Sequence, residues 1–238
     1  MPISARLKAA ADFIAFPRIT DIGTDHAFLP IHAVENGLAD MAVACDNSPG
    51  SLAKAARNIA ASDLSDRIET RLGSGLKPLA PGEVQCAVLT GMGGRLIIGI
   101  LRENPEIASR LSQIILQPQN DVPFVRREVH AMNMRIADEK IVRERKKYYN
   151  ILDCRPQRAG EPERQAAAVY TEAGYEFGQA LIGRKDPVLR EYLQKTIETN
   201  ENILEKIRSG GSHDASLRVS ELRRIIELAR EALTCELT

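Results

Sequence analysis

Strand-like and helix-like segments alternate along the first two thirds of the chain, and this alternation restricts the available folds more than any other feature. Short apolar runs end at Gly, Asp or Pro, and a segment with helical periodicity follows most of them. Strands separated by such helices pair in a parallel sheet that is covered on both faces. The predicted strands are 18–23, 41–46, 68–72, 84–90, 113–117, 135–143 and 149–155, and the predicted helices are 29–36, 49–62, 95–102 and 122–132.

The periodicity changes after the polar stretch 157–165, which is the best linker candidate. Apolar residues then recur at alternating spacings of four and three, from Leu193 to Ile207 and again from Leu222 to Leu233. With a glycine-containing turn at 209–212 between them, two such helices form an antiparallel hairpin of the coiled-coil type. We predict two domains, an α/β domain over 1–160 and a helical hairpin over 161–238.

The charge balance argues against a protein that binds nucleic acid through its overall charge, because 32 Lys and Arg residues balance 32 Asp and Glu residues. In the segment 126–158, ten basic residues stand against five acidic ones, which fits either a solvated surface or a local RNA-binding face.

No apolar run approaches the roughly 18 residues of a membrane span. The start of the chain, 1–16, has the pattern of a helix rather than of a signal peptide. Because the four cysteines have no metal-binding or redox spacing, we expect a cytoplasmic protein without a metal site.

The loop after the first predicted strand, Asp21–Ala27, has the composition of a nucleotide-cofactor turn. Gly23 lets a ligand approach the backbone closely. A dinucleotide-binding loop has a second glycine where this chain has Asp25, and a carboxylate there would repel a pyrophosphate. The same carboxylate suits the cationic sulfonium and ammonium groups of S-adenosylmethionine. The loop therefore favours S-adenosylmethionine over NAD, with a purely structural turn as the alternative.

The loops after the other strands are expected to meet at the same edge of the sheet. Asp46 lies 23 residues after Gly23, close to the spacing of a carboxylate that binds ribose hydroxyls, although helix capping is an alternative. Gly73–Gly75 stands where the adenine of the cofactor would lie. Thr90–Gly94 has three glycines, which indicate either a close approach to a ligand or a tight turn. The amides of Gln117–Asn120 suit both the donor and the acceptor edge of a base.

Three sequence runs together resemble the bacterial TrmK family, namely Asp21–Pro30, Gly91–Gly94 and Ile115–Pro118. Arg6-Leu7 near the start and Lys147-x-Tyr149 before the last strand also fit in order and spacing. Members of this family are tRNA adenine-N1 methyltransferases that act on the adenosine at position 22. The resemblance covers residues 4–155 well, and the tail in architecture. It implies a Rossmann-like class I methyltransferase domain with a mostly parallel seven-stranded sheet, followed by a helical hairpin that contacts tRNA.

By position, the resemblance implies which residues bind the cofactor, which contact the substrate and which are catalytic. The cofactor, S-adenosyl-L-methionine, is expected at Asp21, Gly23, Thr24, Asp25, Asp46, Asn47, Gly73, Ser74, Gly75, Thr90, Gly91, Met92 and Gly93. The tRNA substrate is expected at Arg6, Phe28, Leu29, Pro30, Gln117, Pro118 and Tyr149. The catalytic residues are expected to be Asp25, His26 and Met92, in a chain that is a monomer or a weak dimer.

Two residues depart from the family's usual pattern. Ser74 replaces an Asp, so it can accept a hydrogen bond from the adenine of the cofactor but carries no charge. Phe28 replaces a Tyr, which removes a hydroxyl from the substrate side. These departures leave two alternatives open, a methyltransferase for another RNA base or a small molecule, and a catalytically silent RNA-binding relative.

The reaction that the resemblance implies needs little acid–base chemistry. Adenine N1 has an in-plane lone pair and is itself the nucleophile, so the main task is to align N1 with the methyl group and the sulfur. Asp25, or the carbonyl groups of Gly91–Gly94, would stabilise the adenine amino group as it becomes more acidic. The base must be exposed at a cost of a few kcal/mol, which stacking on Phe28 would partly offset.

Overall fold

The computed structural model describes residues 3–157, 170–209 and 216–235. The chain divides into two compact units, Met1–Ala166 and Ala167–Thr238. The predicted linker 157–165 lies outside the described residues except for Gln157, as does the predicted domain boundary after residue 160. The predicted turn 209–212 lies outside them except for Ser209. Within the described ranges, no helix is both long enough and apolar enough to cross a membrane.

A sheet of seven strands forms the centre of the first unit. Its strands are β1 (Arg18–Ile22), β2 (Met41–Asp46), β3 (Ile68–Leu72), β4 (Cys86–Met92), β5 (Gln113–Pro118), β6 (Met134–Glu144) and β7 (Lys147–Pro156). They lie in the order β3-β2-β1-β4-β5-β7-β6. The strands from β3 to β5 pair in parallel, whereas β7 is antiparallel to both β5 and β6. The mostly parallel sheet confirms the predicted α/β class.

Six helices of the described chain accompany this sheet. They are α1 (Ala5–Ala11), α2 (Phe28–Glu35), α3 (Pro49–Ala61), α4 (Gly94–Glu103), α5 (Pro105–Ala108) and α6 (Val122–Ala131). The Ser48 hydroxyl accepts a hydrogen bond from the backbone N–H of Ser51 at 3.3 Å, so α3 begins at the predicted cap. The helix predicted over 1–16 is shorter, because the backbone N–H groups of Phe13 and Ile14 bond three residues back, in a turn that ends α1.

Apolar side chains pack against both faces of the sheet and form two separate clusters. Within β5, Ile115 belongs to one cluster, and Ile114 and Leu116 belong to the other. This alternation follows from the strand geometry, in which successive side chains point to opposite faces. The first cluster includes residues of α1, α2 and α3, and the second includes residues of α4, α5 and α6. Because both faces of β5 are covered, all six of its residues are buried.

A buried ion pair joins α6 to the outer strands. The Arg126 guanidinium donates from Nε to Oε2 of Glu139 at 2.9 Å, and its Nη2 lies 2.8 Å from the same oxygen. Nη2 also donates to Oδ1 of Asn150 at 3.2 Å. The side chains of Arg126 and Glu139 are 1% and 0% exposed. Arg126 is therefore not available to RNA, although it belongs to the basic segment 126–158.

The second unit is helical, as the sequence predicts. Its described helices are α7 (Glu172–Phe177), α8 (Gln179–Gly183), α9 (Pro187–Ser209) and α10 (Ser216–Cys235). The long helices α9 and α10 pack together, and an ion pair joins Arg230 to Glu201 at 2.6 Å. Leu193, Leu222 and Ile226 are buried, in agreement with the predicted apolar spacing. The short helices α7 and α8 were not predicted, because five or six residues show no clear helical period.

Candidate functional site

A cavity of about 290 Å³ opens at the carboxyl ends of β1 and β4. The strand order reverses between these two neighbours, which is the position where open α/β sheets bind ligands. Helix α1 and the loops after both strands supply its walls. The lining residues are Arg6, Leu7, Asp21, Gly23, Thr24, Asp25, His26, Phe28, Leu29, Thr90, Gly91 and Gln119.

Backbone hydrogen bonds to β2 fix the turn after β1. The backbone N–H groups of Gly23 and Thr24 both donate to the carbonyl of Cys45, at 2.8 and 3.0 Å. Gly23 has φ of +74°, and a Cβ atom there would lie 2.4 Å from Cε of Met92. The predicted catalytic residue Met92 therefore packs over Gly23 and does not line the cavity. The buried Thr24 hydroxyl has no hydrogen-bond partner of good geometry within the described chain, so it can accept one from a ligand.

Asp21 places a buried carboxyl group in the wall of the cavity. Its side chain is 3% exposed, and burial raises its pKa from 3.8 to about 6. The nearby Thr24 hydroxyl lowers this pKa, and the negative charge of Asp46 raises it further. A buried carboxylate without a cation is costly, and a cationic ligand group in the cavity would offset this cost. These acceptor groups thus fit the ammonium end of an amino-acid moiety.

Asp25 and Asp46 are joined through the backbone. The N–H of Asp25 donates to Oδ2 of Asp46 at 3.3 Å, and the N–H of Ser48 donates to Oδ1 at 2.8 Å. The Asp46 carboxylate therefore holds two turns in place, whereas the cap of α3 is Ser48. A role of Asp46 in binding ribose stays a prediction. Asp25 has φ of +45° and an exposed side chain, with Nζ of Lys54 at 3.6 Å and Nε2 of His26 at 3.4 Å. The neighbouring Asn47 is exposed.

The glycines after β3 are explained by contacts within the protein. A Cβ atom on Gly73 would lie 2.4 Å from Cγ of Pro78. A Cβ atom on Gly75, which has φ of +58°, would lie 2.8 Å from Cγ2 of Ile100. Ser74 between them is exposed and does not line the cavity. At these two positions a larger residue would clash with neighbouring side chains of the protein.

A bulge at the end of β4 forms the opposite wall. The register between β4 and β5 shifts between Thr90 and Met92, and Gly91 at the shift has φ of +76°. The N–H of Gly91 donates to Oε1 of Gln117 at 3.2 Å. The next turn is held in a similar way, since the N–H of Gly94 donates to Oδ1 of Asn120 at 3.0 Å. Gly93 also lies close to Asn120, because a Cβ atom on Gly93 would lie 3.2 Å from Oδ1 of Asn120. Gly93 does not line the cavity.

Two predicted substrate residues, Gln117 and Pro118, are buried. The Gln117 side chain is 0% exposed, and Oε1 accepts from Nη1 of Arg6 at 3.1 Å in addition to the N–H of Gly91. Its Nε2 donates to the carbonyl of Pro118 at 3.2 Å. The structure therefore encloses the Gln117 amide within the protein, where it is not placed to contact a substrate base directly.

Of the other predicted substrate residues, Arg6, Phe28 and Leu29 line the cavity, whereas Pro30 and Tyr149 do not. The rings of His26 and Phe28 stack with centroids 5.0 Å apart and planes 7° from parallel. The Arg6 guanidinium lies over the ring of Tyr149, 5.7 Å from its centroid. Leu29 and Pro30, in the first turn of α2, are buried, and Leu29 lines the cavity.

Several residues of the site were missed from the sequence. Leu7 and Gln119 line the cavity, and Lys54 lies beside Asp25. The Asn58 amide donates to the carbonyl of His26 at 2.9 Å and so supports the loop from α3. Gln119 had a signal as a member of the amide run after β5, and Leu7 had one as part of the Arg6-Leu7 pair that fits the family. Within the described ranges, no group of three or more His, Cys, Asp or Glu residues is placed to hold a metal ion.

Comparison with known proteins relates this geometry to one family. Residues 19–231 match the sequence profile of TrmK, described as tRNA (adenine(22)-N(1))-methyltransferase. The chain is 28% identical over 98% of both chains to the tRNA (adenine(22)-N(1))-methyltransferase of Bacillus subtilis. It is 30% identical to Sp1610 of Streptococcus pneumoniae in complex with S-adenosyl-L-methionine, with a TM-score of 0.82 over 98% of this chain and 100% of that one. The complex of M. capricolum TrmK with S-adenosyl-homocysteine is 25% identical, with a TM-score of 0.81 over 98% of each chain.

Proposed function

This chain belongs to the TrmK family of tRNA (adenine(22)-N(1))-methyltransferases, and we propose that its β1–β4 cavity holds the amino-acid end of S-adenosylmethionine beside the target adenine. The chain is an S-adenosylmethionine-dependent enzyme that methylates N1 of an adenosine in tRNA. The observation that carries the proposed placement is the buried Asp21 carboxylate beside the buried Thr24 hydroxyl in the wall of the cavity. Position 22 as the target and a cytoplasmic location are part of the proposal.

The proposed arrangement of the cofactor follows from the charges around the cavity. S-adenosylmethionine supplies an electrophilic methyl group on a cationic sulfur. Asp21 and Asp25 place carboxylates on the side of the ammonium and sulfonium groups. Arg6 is the one guanidinium among the described lining residues, and it faces the same space. Asp46, Asn47 and Ser74 lie outside the cavity, and we propose that they face the ribose and adenine of the cofactor.

Alignment of the acceptor is the main contribution that we propose for the protein. N1 of adenine would bond to the methyl carbon through its own lone pair while the bond from that carbon to sulfur breaks, which would leave S-adenosyl-homocysteine, so the walls need only hold the two groups in line. The stacked rings of His26 and Phe28 at the mouth offer an apolar face for the exposed base. Backbone carbonyl groups of the Gly91 turn lie on the opposite side, where they can accept from the adenine amino group.

A direct test is methyl transfer from labelled S-adenosylmethionine to unmodified bulk tRNA, followed by nucleoside analysis. We expect N1-methyladenosine, and mapping of the product should place it at position 22. Label at another nucleotide would overturn the proposed position. Label on free metabolites but not on tRNA would instead favour the alternative of a small-molecule methyltransferase.

We propose that Gln119, rather than Gln117, presents an amide to the substrate base. Gln119 is exposed, lines the cavity, and its side chain forms no hydrogen bond to the described protein. Gln119→Ala should lower kcat/KM for tRNA by about tenfold, the size of one hydrogen bond, with little change in cofactor affinity. Gln85→Ala is the control, because Gln85 lies before the amino end of β4 and does not line the cavity, although its side chain accepts one hydrogen bond from the N–H of Arg18. Equal losses in the two variants would contradict the role of Gln119.

Cofactor binding should weaken at acid pH. Because the pKa of Asp21 is raised to about 6, its carboxyl group is ionised above that pH and becomes neutral below it. Only the ionised form attracts the ammonium group, so the dissociation constant for S-adenosylmethionine should rise as the pH falls through about 6. Titration calorimetry on both sides of this pKa measures the dependence. A flat profile would exclude Asp21 as the group that faces the cation.

A further inference from the structure

We propose that Gln117 is a positioning residue that holds the Gly91 turn and the Arg6 guanidinium in one fixed arrangement at the methyl-transfer site. The inference rests on the proposed function, since it assumes that the cavity is where the cofactor and the base meet. Gln117 itself touches neither ligand, because its side chain is 0% exposed. Its effect must therefore pass through the groups that it binds.

The first of these groups is the backbone of the bulge. Gly91 is the extra residue where the register of β4 and β5 shifts, so its N–H has no partner in the regular ladder. Oε1 of Gln117 accepts from this N–H at 3.2 Å. Gly91 has φ of +76°. Because a glycine backbone can adopt many conformations, this turn needs a hydrogen bond to hold it in one of them. The side-chain amide thus replaces the missing ladder bond and fixes the wall beside the reacting atoms.

The second group is the guanidinium of Arg6, which comes from a different element. The same Oε1 atom accepts from Nη1 of Arg6 at 3.1 Å, and the ring of Tyr149 lies 5.7 Å from the guanidinium carbon. Nη1 lies 3.7 Å from where a Cβ atom on Gly91 would stand. One oxygen atom therefore connects helix α1 with the end of β4, and both connected groups line the cavity.

The remaining polar atom of the side chain fixes the amide itself. Nε2 of Gln117 donates to the carbonyl of Pro118 at 3.2 Å, which determines which end of the amide faces Arg6 and Gly91. A flipped amide would direct N–H groups at two donors, which is unfavourable. The orientation of the acceptor is thus set by the backbone of β5 and not by a ligand.

The chain contains a closely matched control in the same strand. Gln113, at the other end of β5, is also 0% exposed. Its Nε2 donates to the carbonyl of Phe13 at 2.6 Å and to Oδ1 of Asp153 at 2.8 Å, and its Oε1 accepts from the N–H of Ala15 at 3.1 Å. Gln113 and Gln117 therefore share residue type, strand and burial, but only Gln117 contacts the walls of the cavity.

The test compares Gln117→Met with Gln113→Met, each of which removes the amide while keeping the volume. Both should lose similar thermal stability, since each leaves buried polar groups unpaired. Gln117→Met should raise the dissociation constant for S-adenosylmethionine about tenfold and lower kcat for tRNA methylation about 10- to 100-fold. Gln113→Met should change neither by more than about threefold. Equal effects of the two variants on binding and kcat would overturn the positioning role.

Two further variants separate positioning from a general structural role. Gln117→Glu keeps an acceptor for Gly91 and Arg6 but loses the donor to the Pro118 carbonyl, so it should recover only part of the kcat that Gln117→Met loses. In a double-mutant cycle, Arg6→Met should cost much less in the Gln117→Met background than alone, because the two residues act as a unit. Additive losses, or no recovery by Gln117→Glu, would contradict the proposal. Absence of tRNA methylation by the unaltered chain would overturn the proposed function instead, and the cofactor-binding comparison would still test Gln117.

Discussion

Replacing Asp21 by asparagine is expected to weaken S-adenosylmethionine binding by about 10- to 100-fold, the range of a lost charge-assisted hydrogen bond. Asparagine keeps the shape of the side chain, so the loss should come from the charge alone. The Asp21 carboxyl is buried in the wall of the cavity, where its attraction for a cation is only weakly screened by water. Titration calorimetry near neutral pH, where the carboxyl group is ionised, measures the change directly.

The same substitution should stabilise the protein without its cofactor, and this opposite sign makes the prediction specific. Burial raises the pKa of Asp21 from 3.8 to about 6, so the ionised group destabilises the folded state by about 3 kcal/mol at neutral pH. The contribution of Asp21 to stability is complete below pH 3.8 and is lost as the pH rises through about 6. The asparagine side chain does not titrate, so the Asp21→Asn variant should have a higher Tm at neutral pH and lack this dependence.

Asp40→Asn provides the control for both measurements. Asp40 is exposed and lies just before the amino end of β2, whereas the cavity opens at the carboxyl ends of the strands. Its replacement should leave cofactor affinity and Tm almost unchanged. If Asp21→Asn bound the cofactor as tightly as the unaltered chain, the amino-acid end of S-adenosylmethionine could not lie beside Asp21.

Replacing Arg126 by methionine is expected to destabilise the protein by about 3–5 kcal/mol, because it leaves the buried Glu139 carboxylate without its cation. Both side chains are almost completely enclosed between α6 and β6. Denaturant unfolding followed by circular dichroism measures the loss. The site lies outside the cavity, so the folded fraction of the variant should bind the cofactor normally.

Two comparison variants make this result interpretable. Arg102→Met breaks an exposed ion pair with Glu128, which should cost less than about 1 kcal/mol. Combining Arg126→Met with Glu139→Gln removes the buried charge and should recover part of the lost stability. A loss that stayed the same in the double variant would show that packing, not the unpaired charge, is responsible.

The fold could be predicted from the sequence because its signals are local. Most of the parallel strands are short apolar runs that end at a glycine, an aspartate or a proline, and β3 shows the alternation of a half-buried strand. The extents of β6 and β7 were close to the prediction, with Arg145 and Lys146 forming the turn between them. The short helices α5, α7 and α8 were missed because four to six residues carry no readable period.

The site was harder to predict, because the meaning of a residue type depends on what surrounds it. Glycines at 73 and 75 are required by Pro78 and Ile100, which no local pattern reveals. Gln117 and Gln119 lie two positions apart at the end of the same strand, yet one is enclosed and the other lines the cavity. Sequence periodicity locates the loops around a site, whereas burial decides which of their side chains reach the ligand.

The shared oxygen of Gln117 also has an evolutionary consequence. Arg6 and Gly91 are far apart in the sequence, but both donate to this one atom. We expect a substitution at any one of these three positions to alter the effect of substitutions at the other two, so the three residues should evolve together. In descendants that lost the arginine, the glutamine would still accept from the N–H of Gly91, so the end of β4 would need another acceptor before Gln117 could be replaced.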